Sequence, residues 1–125
     1  MRDVLSYGQR LRVSGLNLLS APGNDLVAAT ALAAAGAQIV LFSTGRGTPF
    51  ASPVPTLKIA SNSELARHKR NWIDFDAGAL LQGESLAALS QALMDRVLAV
   101  AGGENVHSEE NGYHDMAIFK TGVTL

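Results

Sequence analysis

Apolar positions in this chain fall into short blocks separated by glycine, proline and small polar residues. Residues 38–42 are almost wholly apolar, and too few for an ordinary helix, so they predict a buried strand. It ends where Ser43-Thr44-Gly45-Arg46-Gly47-Thr48-Pro49 begins. Residues 16–20 predict an earlier short strand, stopped by Ala21-Pro22-Gly23. Asn24 is a good helix N-cap, Asp25 puts negative charge in the first turn, and residues 26–35 are rich in helix formers, with Gly36 as the C′ residue. This helix is apolar nearly all round, which predicts packing on two sides. Strand, helix and strand together predict one right-handed, parallel βαβ unit.

Residues 44–55 carry Pro49, Pro53 and Pro55 and predict a loop longer than a hairpin turn. Residues 56–60 predict a third strand. Ser61 and Glu64 have capping-box spacing and predict a short helix running to about residue 69, whose basic end (Arg67, Lys69, Arg70) suits the helix dipole. Residues 72–76 alternate with period two and read as a fourth strand or an extended loop. After Gly83-Glu84-Ser85, the spacing of Leu86, Leu89, Leu93, Val97 and Val100 predicts an amphipathic helix with Ser90, Gln91, Asp95 and Arg96 toward solvent, stopped by Gly102-Gly103. Residues 1–14 read as a lead-in segment, 104–115 as polar connection and 116–119 as a last strand. The fold class expected is α/β: a three-layer, Rossmann-like single domain over residues 1–125, with a mostly parallel sheet.

Composition narrows the function classes. The chain has 125 residues, 47% hydrophobic and 17% charged, with a formal net charge of −1. This predicts a folded domain with one core and gives no electrostatic reason to expect a nucleic-acid partner. The absence of cysteine excludes disulfides, a thiol nucleophile, zinc thiolates and Fe–S ligation by this chain. The first ten residues lack the apolar core of a signal peptide, and residues 26–35 are too few to span a bilayer. A cytoplasmic location with no membrane partner is expected.

Polar clusters follow several of the expected strands: residues 23–25, 44–48, 61–62 and 76–78. If the strands are parallel, these clusters share one sheet edge, where ligands of open α/β sheets collect. An antiparallel return after residue 55 would instead bring Lys58 toward that edge and move Ser61 away. The Thr44–Thr48 loop offers backbone N–H groups, hydroxyls and the forked cation of Arg46, suited to a carboxylate or phosphate. A glycine turn with a solvated arginine is the plain alternative. Asp74 and Asp76 are two apart; in an extended segment they share a side and can hold a cation, pair with Arg46 or move a proton, while Asp76 alone can also cap the Ala77-Gly78 turn. His107 and His114 flank Glu109 and Glu110, either a cation site or a polar surface loop; His68 lies in the basic helix end. Lys120 reaches the edge or solvent. There is no phosphate-binding G-x-x-x-x-G-K-[ST] loop, complete dinucleotide fingerprint or nucleophile elbow.

Residues 15–19, 22–28, 41–49, 53–59, 73–78 and 119–125 together resemble the C-terminal part of the altronate dehydratase/D-galactarate dehydratase family. The most specific elements are the Thr44-Gly45-Arg46-Gly47 loop and Asp74-Phe75-Asp76-Ala77-Gly78, in this order. The resemblance implies a hydro-lyase that removes water from a sugar acid, an aldonate or aldarate, to give a 2-keto-3-deoxy acid. It implies a divalent cation (Fe2+, Mn2+ or Mg2+) bound partly outside this chain. It also implies an upstream domain or companion subunit, because family members carry further regions before this one. Such chemistry needs a grip on the carboxylate, a base for the α-proton and help for the leaving hydroxide. Arg46 with Thr44 and Thr48 suits the carboxylate; Asn24, Asn62 and Lys58 suit further contacts; Asp74 or Asp76 suits proton transfer or the cation, whose ligands stay unassigned. The alternative is a non-catalytic acid- or phosphate-binding, or assembly, module of the same fold. Dinucleotide binding rests on fold analogy alone. A homo-oligomer is compatible with either reading.

Overall fold

A central strand with both faces covered organises the chain. The computed structural model describes residues 1–117. Within them β3 (Val40–Thr44), β4 (Thr56–Ala60) and β5 (Phe75–Asp76) form a sheet in the order β3-β4-β5, with both pairs parallel. On β4, Thr56, Leu57, Lys58 and Ala60 are all buried. The β-branched and apolar residues at 56–60 suit such a two-sided strand.

One face of the sheet meets α3 (Leu86–Ala101) and α4 (His107–Glu110), through Leu57, Val100 and Val106 with Ile39, Ile59, Phe75, Leu93 and Val97 around them. The other meets α1 (Asp25–Ala35) and the 48–54 loop, through Ala29, Val40 and Phe50. There Phe42 and Phe50 pack edge to face, with ring centroids 5.0 Å apart. Ala60, Leu65 and Ile73 close the end of the core beside α2 (Ser63–His68). The result is a mixed α/β layering of parallel strands and helices, consistent with a Rossmann-like fold.

The caps follow local chemistry. Asn24 accepts from Val27 N at 3.2 Å to start α1, and Gly36 ends it with φ +117°, a left-handed conformation glycine adopts freely. Ser85 caps α3 by accepting from Ala88 N. The capping box expected at Ser61 is displaced by one residue: Asn62 is the N-cap of α2, accepting from Leu65 N at 2.9 Å. On α3, Leu93, Val97 and Val100 face the core as the spacing predicts, but Leu86 is exposed.

Three further expectations are corrected. Residues 1–14 include β1 (Asp3–Leu5), which pairs in parallel with β2 (Asn17–Leu19). These strands make a separate two-stranded sheet, so β2, α1 and β3 do not form a βαβ unit within one sheet. The three residues of β2 find their hydrogen-bond partners in β1, with Asp3 opposite Asn17. The polar stretch 104–115 also contains α4, and residues 77–82 form a 3-10 turn (Ala77–Gln82). The last expected strand lies mostly outside the described residues, as do Lys120 and residues 119–125.

Candidate active site

Three carboxyl-terminal strand ends lie side by side. Thr44 is in register with Ala60, and Ala60 with Asp76, so the segments that follow emerge at neighbouring positions, about 4.8 Å apart per strand. The parallel arrangement excludes the antiparallel return after residue 55. It also reduces the expected four-cluster edge to three, because Asn24 follows β2, which belongs to the other sheet.

The three segments are tied together by hydrogen bonds. Thr44 Oγ1 accepts from Gly47 N at 3.0 Å, closing the turn that holds Arg46, and Gly47 sits at φ +81°. Ser61 N donates to the Thr44 carbonyl at 3.0 Å. Asn62 Nδ2 donates to the Gly45 carbonyl at 3.0 Å while its Oδ1 caps α2, so one amide side chain positions both loop and helix. Asp76 Oδ1 accepts from Gly78 N at 2.8 Å, the turn-capping role open to it from sequence. Gly78 lies so close to the next segment that a Cβ there would stand 2.3 Å from Ser63 N. Ser63 itself is buried, and its hydroxyl has no hydrogen-bond partner.

On this framework Arg46 is exposed, without an ion pair among the described residues. A fixed loop with an unpaired guanidinium can bind a planar anion in bidentate fashion. Thr48 contributes differently from a free hydroxyl donor: its carbonyl accepts from Lys58 Nζ at 2.7 Å. The buried Lys58 ammonium also lies 5.5 Å from the centre of the Phe50 ring. Burial pushes its pKa below the ordinary 10.5, with Asp74 and Asp115 partly opposing the shift. Lys58 therefore supports the loop from beneath.

The structure gives Asp74 and Asp76 different surroundings, because β5 begins between them. Asp74 has no exposed side-chain surface. Its Oδ2 accepts from Lys58 N at 2.8 Å, and its Oδ1 accepts from both the backbone N and ring Nδ1 of His107, each at 2.9 Å. Arg96 Nη2 approaches the same carboxylate at 3.9 Å and pairs with Glu104. These contacts lock β4, β5 and α4 together. Asp76 remains half-buried at the strand ends.

A divalent cation needs several converging oxygen or imidazole ligands. Among the described residues no three His, Asp or Glu side chains converge as a metal site. At the expected 107–114 cluster, His107 is held by Asp74, and Glu109 Oε2 accepts from Val106 N at 3.1 Å. Residues 1–117 thus do not provide a complete ligand set for the cation.

Sequence reading did not single out Ser63 or the Asp74–His107 contact. Ser63 follows Asn62 directly, and reading Ser61 as the cap shifted attention off it. His107 lies 33 residues from Asp74, where polar spacing alone gives no signal of their contact.

Parallel strands layered with helices define an α/β fold, and ligands of such sheets collect at the carboxyl ends of the strands. The chain matches the family model described as D-galactarate/altronate dehydratase, C-terminal, over residues 1–124, and it belongs to that family. It is 57% identical over 123 residues to altronate dehydratase of Escherichia coli (strain K12), covering 98% of this chain and 25% of the relative. Altronate dehydratase of Bacillus subtilis (strain 168) is 53% identical over 124 residues, covering 98% of this chain and 25% of the relative. Galactarate dehydratase (L-threo-forming) of E. coli is 36% identical over 121 residues, covering 94% and 23%. The chain therefore spans about a quarter of the length of these relatives. Among the described residues no helix is long and apolar enough to cross a membrane.

Proposed function

We propose that this chain is the C-terminal portion of a cytoplasmic sugar-acid dehydratase and that its strand-end loop holds the substrate carboxylate. The substrate is an aldonate or aldarate, such as altronate or galactarate. The reaction removes the α-proton and the β-hydroxyl, the latter leaving with a proton as water, and the resulting enol tautomerises to a 2-keto-3-deoxy acid. The observation that carries this reading is Arg46, exposed and without an ion pair among the described residues, on a loop fixed by Thr44 and Asn62.

Arg46 pairs with the carboxylate and disperses the charge that builds on it as the α-proton departs. Asn62 and Thr44 hold the loop, Lys58 supports it through Thr48, and Asp76 stands at the adjoining strand end within the same edge. In this reading the buried Asp74 stabilises the framework, and the proton-abstracting base is Asp76 or lies in the upstream polypeptide. A divalent cation belongs to the same proposal, with its ligands principally on that upstream polypeptide, in keeping with the donor set of residues 1–117.

The test is a dehydration assay that follows 2-keto-3-deoxy acid formation from a panel of aldonates and aldarates with Fe2+, Mn2+ or Mg2+. It is run on this chain alone and with the upstream region of the E. coli relative joined ahead of it. Turnover in the joined protein supports the reading. Ligand binding without turnover there supports a non-catalytic acid-binding module.

A further inference from the structure

Among the described residues the β1–β2 pair is a sheet without neighbours. Its strands pair only with each other among the described residues, leaving an unpaired edge on each side. Parallel strands are ordinarily covered on both faces, and two-stranded units are marginal alone. One side of this pair faces α1 across a cleft of about 180 Å³ whose lining includes Leu5, Leu19 and Leu32 and also touches Leu18, which stays half exposed.

The opposite side is aliphatic and open. Val4 is in register with Leu18, and Leu16 precedes Leu18 by two residues, so strand alternation puts all three on one face. They are 57%, 51% and 67% exposed respectively, while Leu5, of opposite parity, is 4% exposed. On α3 the exposed Met94 and Leu98 lie four residues apart on one stripe beside the exposed polar Gln91 and Asp95. A contiguous uncovered aliphatic face marks an interaction surface.

The relatives point to what covers it. This chain matches a region described as C-terminal and a quarter of the altronate dehydratases, so about three quarters of those chains precede the matched region. Any polypeptide that precedes this region connects on the amino-terminal side of β1, the strand that carries the exposed Val4. We propose that the face formed by Val4, Leu16 and Leu18 is the docking surface for the polypeptide that precedes this region in the dehydratase. The proposal rests on reading this chain as the C-terminal portion of such an enzyme.

The chain has no cysteine, so single-cysteine variants report one position at a time. Leu18→Cys and, as a second probe of the same face, Val4→Cys are alkylated with iodoacetamide and followed by peptide mass spectrometry; Met94→Cys on α3 is the control. Each is measured in this chain alone and in the protein joined to the upstream region of the E. coli relative. Joining is expected to slow labelling at positions 4 and 18 by about tenfold or more and to change position 94 by less than about twofold. Equal labelling at 4 and 18 in both proteins overturns the proposal. So does protection at 94 in their place, or protection in the isolated chain that grows with its concentration, which would make a second copy the occupant. Dehydration activity is read on the same joined protein: turnover with positions 4 and 18 unprotected rejects the surface alone, and protection without turnover supports the surface while counting against the enzymatic reading.

Discussion

Lys58 Nζ donates to the Thr48 carbonyl at 2.7 Å, tying the middle of β4 to the loop that carries Arg46. The ammonium is desolvated, and this desolvation costs stability as long as the group stays charged. Its folded pKa is below its unfolded value, so between the two the unfolded chain binds more protons and stability rises with pH. The penalty is fully present below the folded pKa and is relieved as pH rises toward 10.5. Lys58→Met keeps most of the stem and removes the titration. Urea unfolding from neutral pH to pH 10.5 should show the wild type gaining stability relative to this variant; parallel curves would count against the assignment.

Asp74 and His107 join distant parts of the chain through one carboxylate. Asp74→Ala leaves the Lys58 N–H and two His107 donors without their acceptor in a buried site. The expected loss is about 3–5 kcal/mol, with a smaller loss for Asp74→Asn, which retains an acceptor oxygen. A double-mutant cycle with His107→Ala should return a coupling of about 1–3 kcal/mol. Additive losses in denaturant unfolding would mean that the two side chains do not support one another.

Gly78 is required by close approach of two backbones, and its φ is not positive. A methyl group there would press on Asn62 and Ser63, whose backbone atoms lie 2.3–2.5 Å from the ideal Cβ. Gly78→Ala is therefore expected to cost about 3 kcal/mol or more, at the upper end of overpacking effects. Gly83→Ala tests the other kind of glycine constraint: its φ is +102° and nothing crowds its Cβ. Its loss should be smaller, about 1–2 kcal/mol from the left-handed backbone. Thermal unfolding of both variants checks the order.

These pairs also mark how far the sequence was readable. The strand at 56–60 and the helices at 25–35 and 86–101 stand out because composition and cap residues agree locally, while the strand expected at 38–42 lies two residues later, at Val40–Thr44. β1 does not: three residues among charged neighbours carry too little pattern, and only pairing with Asn17–Leu19 makes them a strand. From the sequence Lys58 suits a contact to substrate; the 48–50 loop folding over its face of the strand buries it instead. Asp74 and Asp76 share a side in an ideal strand, but β5 begins only at Phe75, which leaves one carboxylate interior and the other capping a turn. The strand-end loop was legible as a position; its hydrogen-bond support from Asn62 and Lys58 depends on tertiary contacts.

Arg46 offers the most direct separation of function from stability. It is exposed and makes no hydrogen bond or ion pair among the described residues, so Arg46→Ala should leave the unfolding midpoint unchanged within error. Loss of a charge-assisted, bidentate contact should weaken aldonate or aldarate binding by about tenfold to a hundredfold. Arg46→Lys keeps the charge but loses the fork, so it should recover only part of that affinity. Asn62→Ala should act through the other route: it removes the α2 cap and the bond to Gly45, costing about 1–2 kcal/mol, and weakens binding because the loop is no longer held. Calorimetric titration of the joined protein, with unfolding curves of the same samples, distinguishes the two patterns. Full affinity in Arg46→Ala would remove the carboxylate grip from this loop, and wild-type affinity in a destabilised Asn62→Ala would show that the loop holds its shape without the amide.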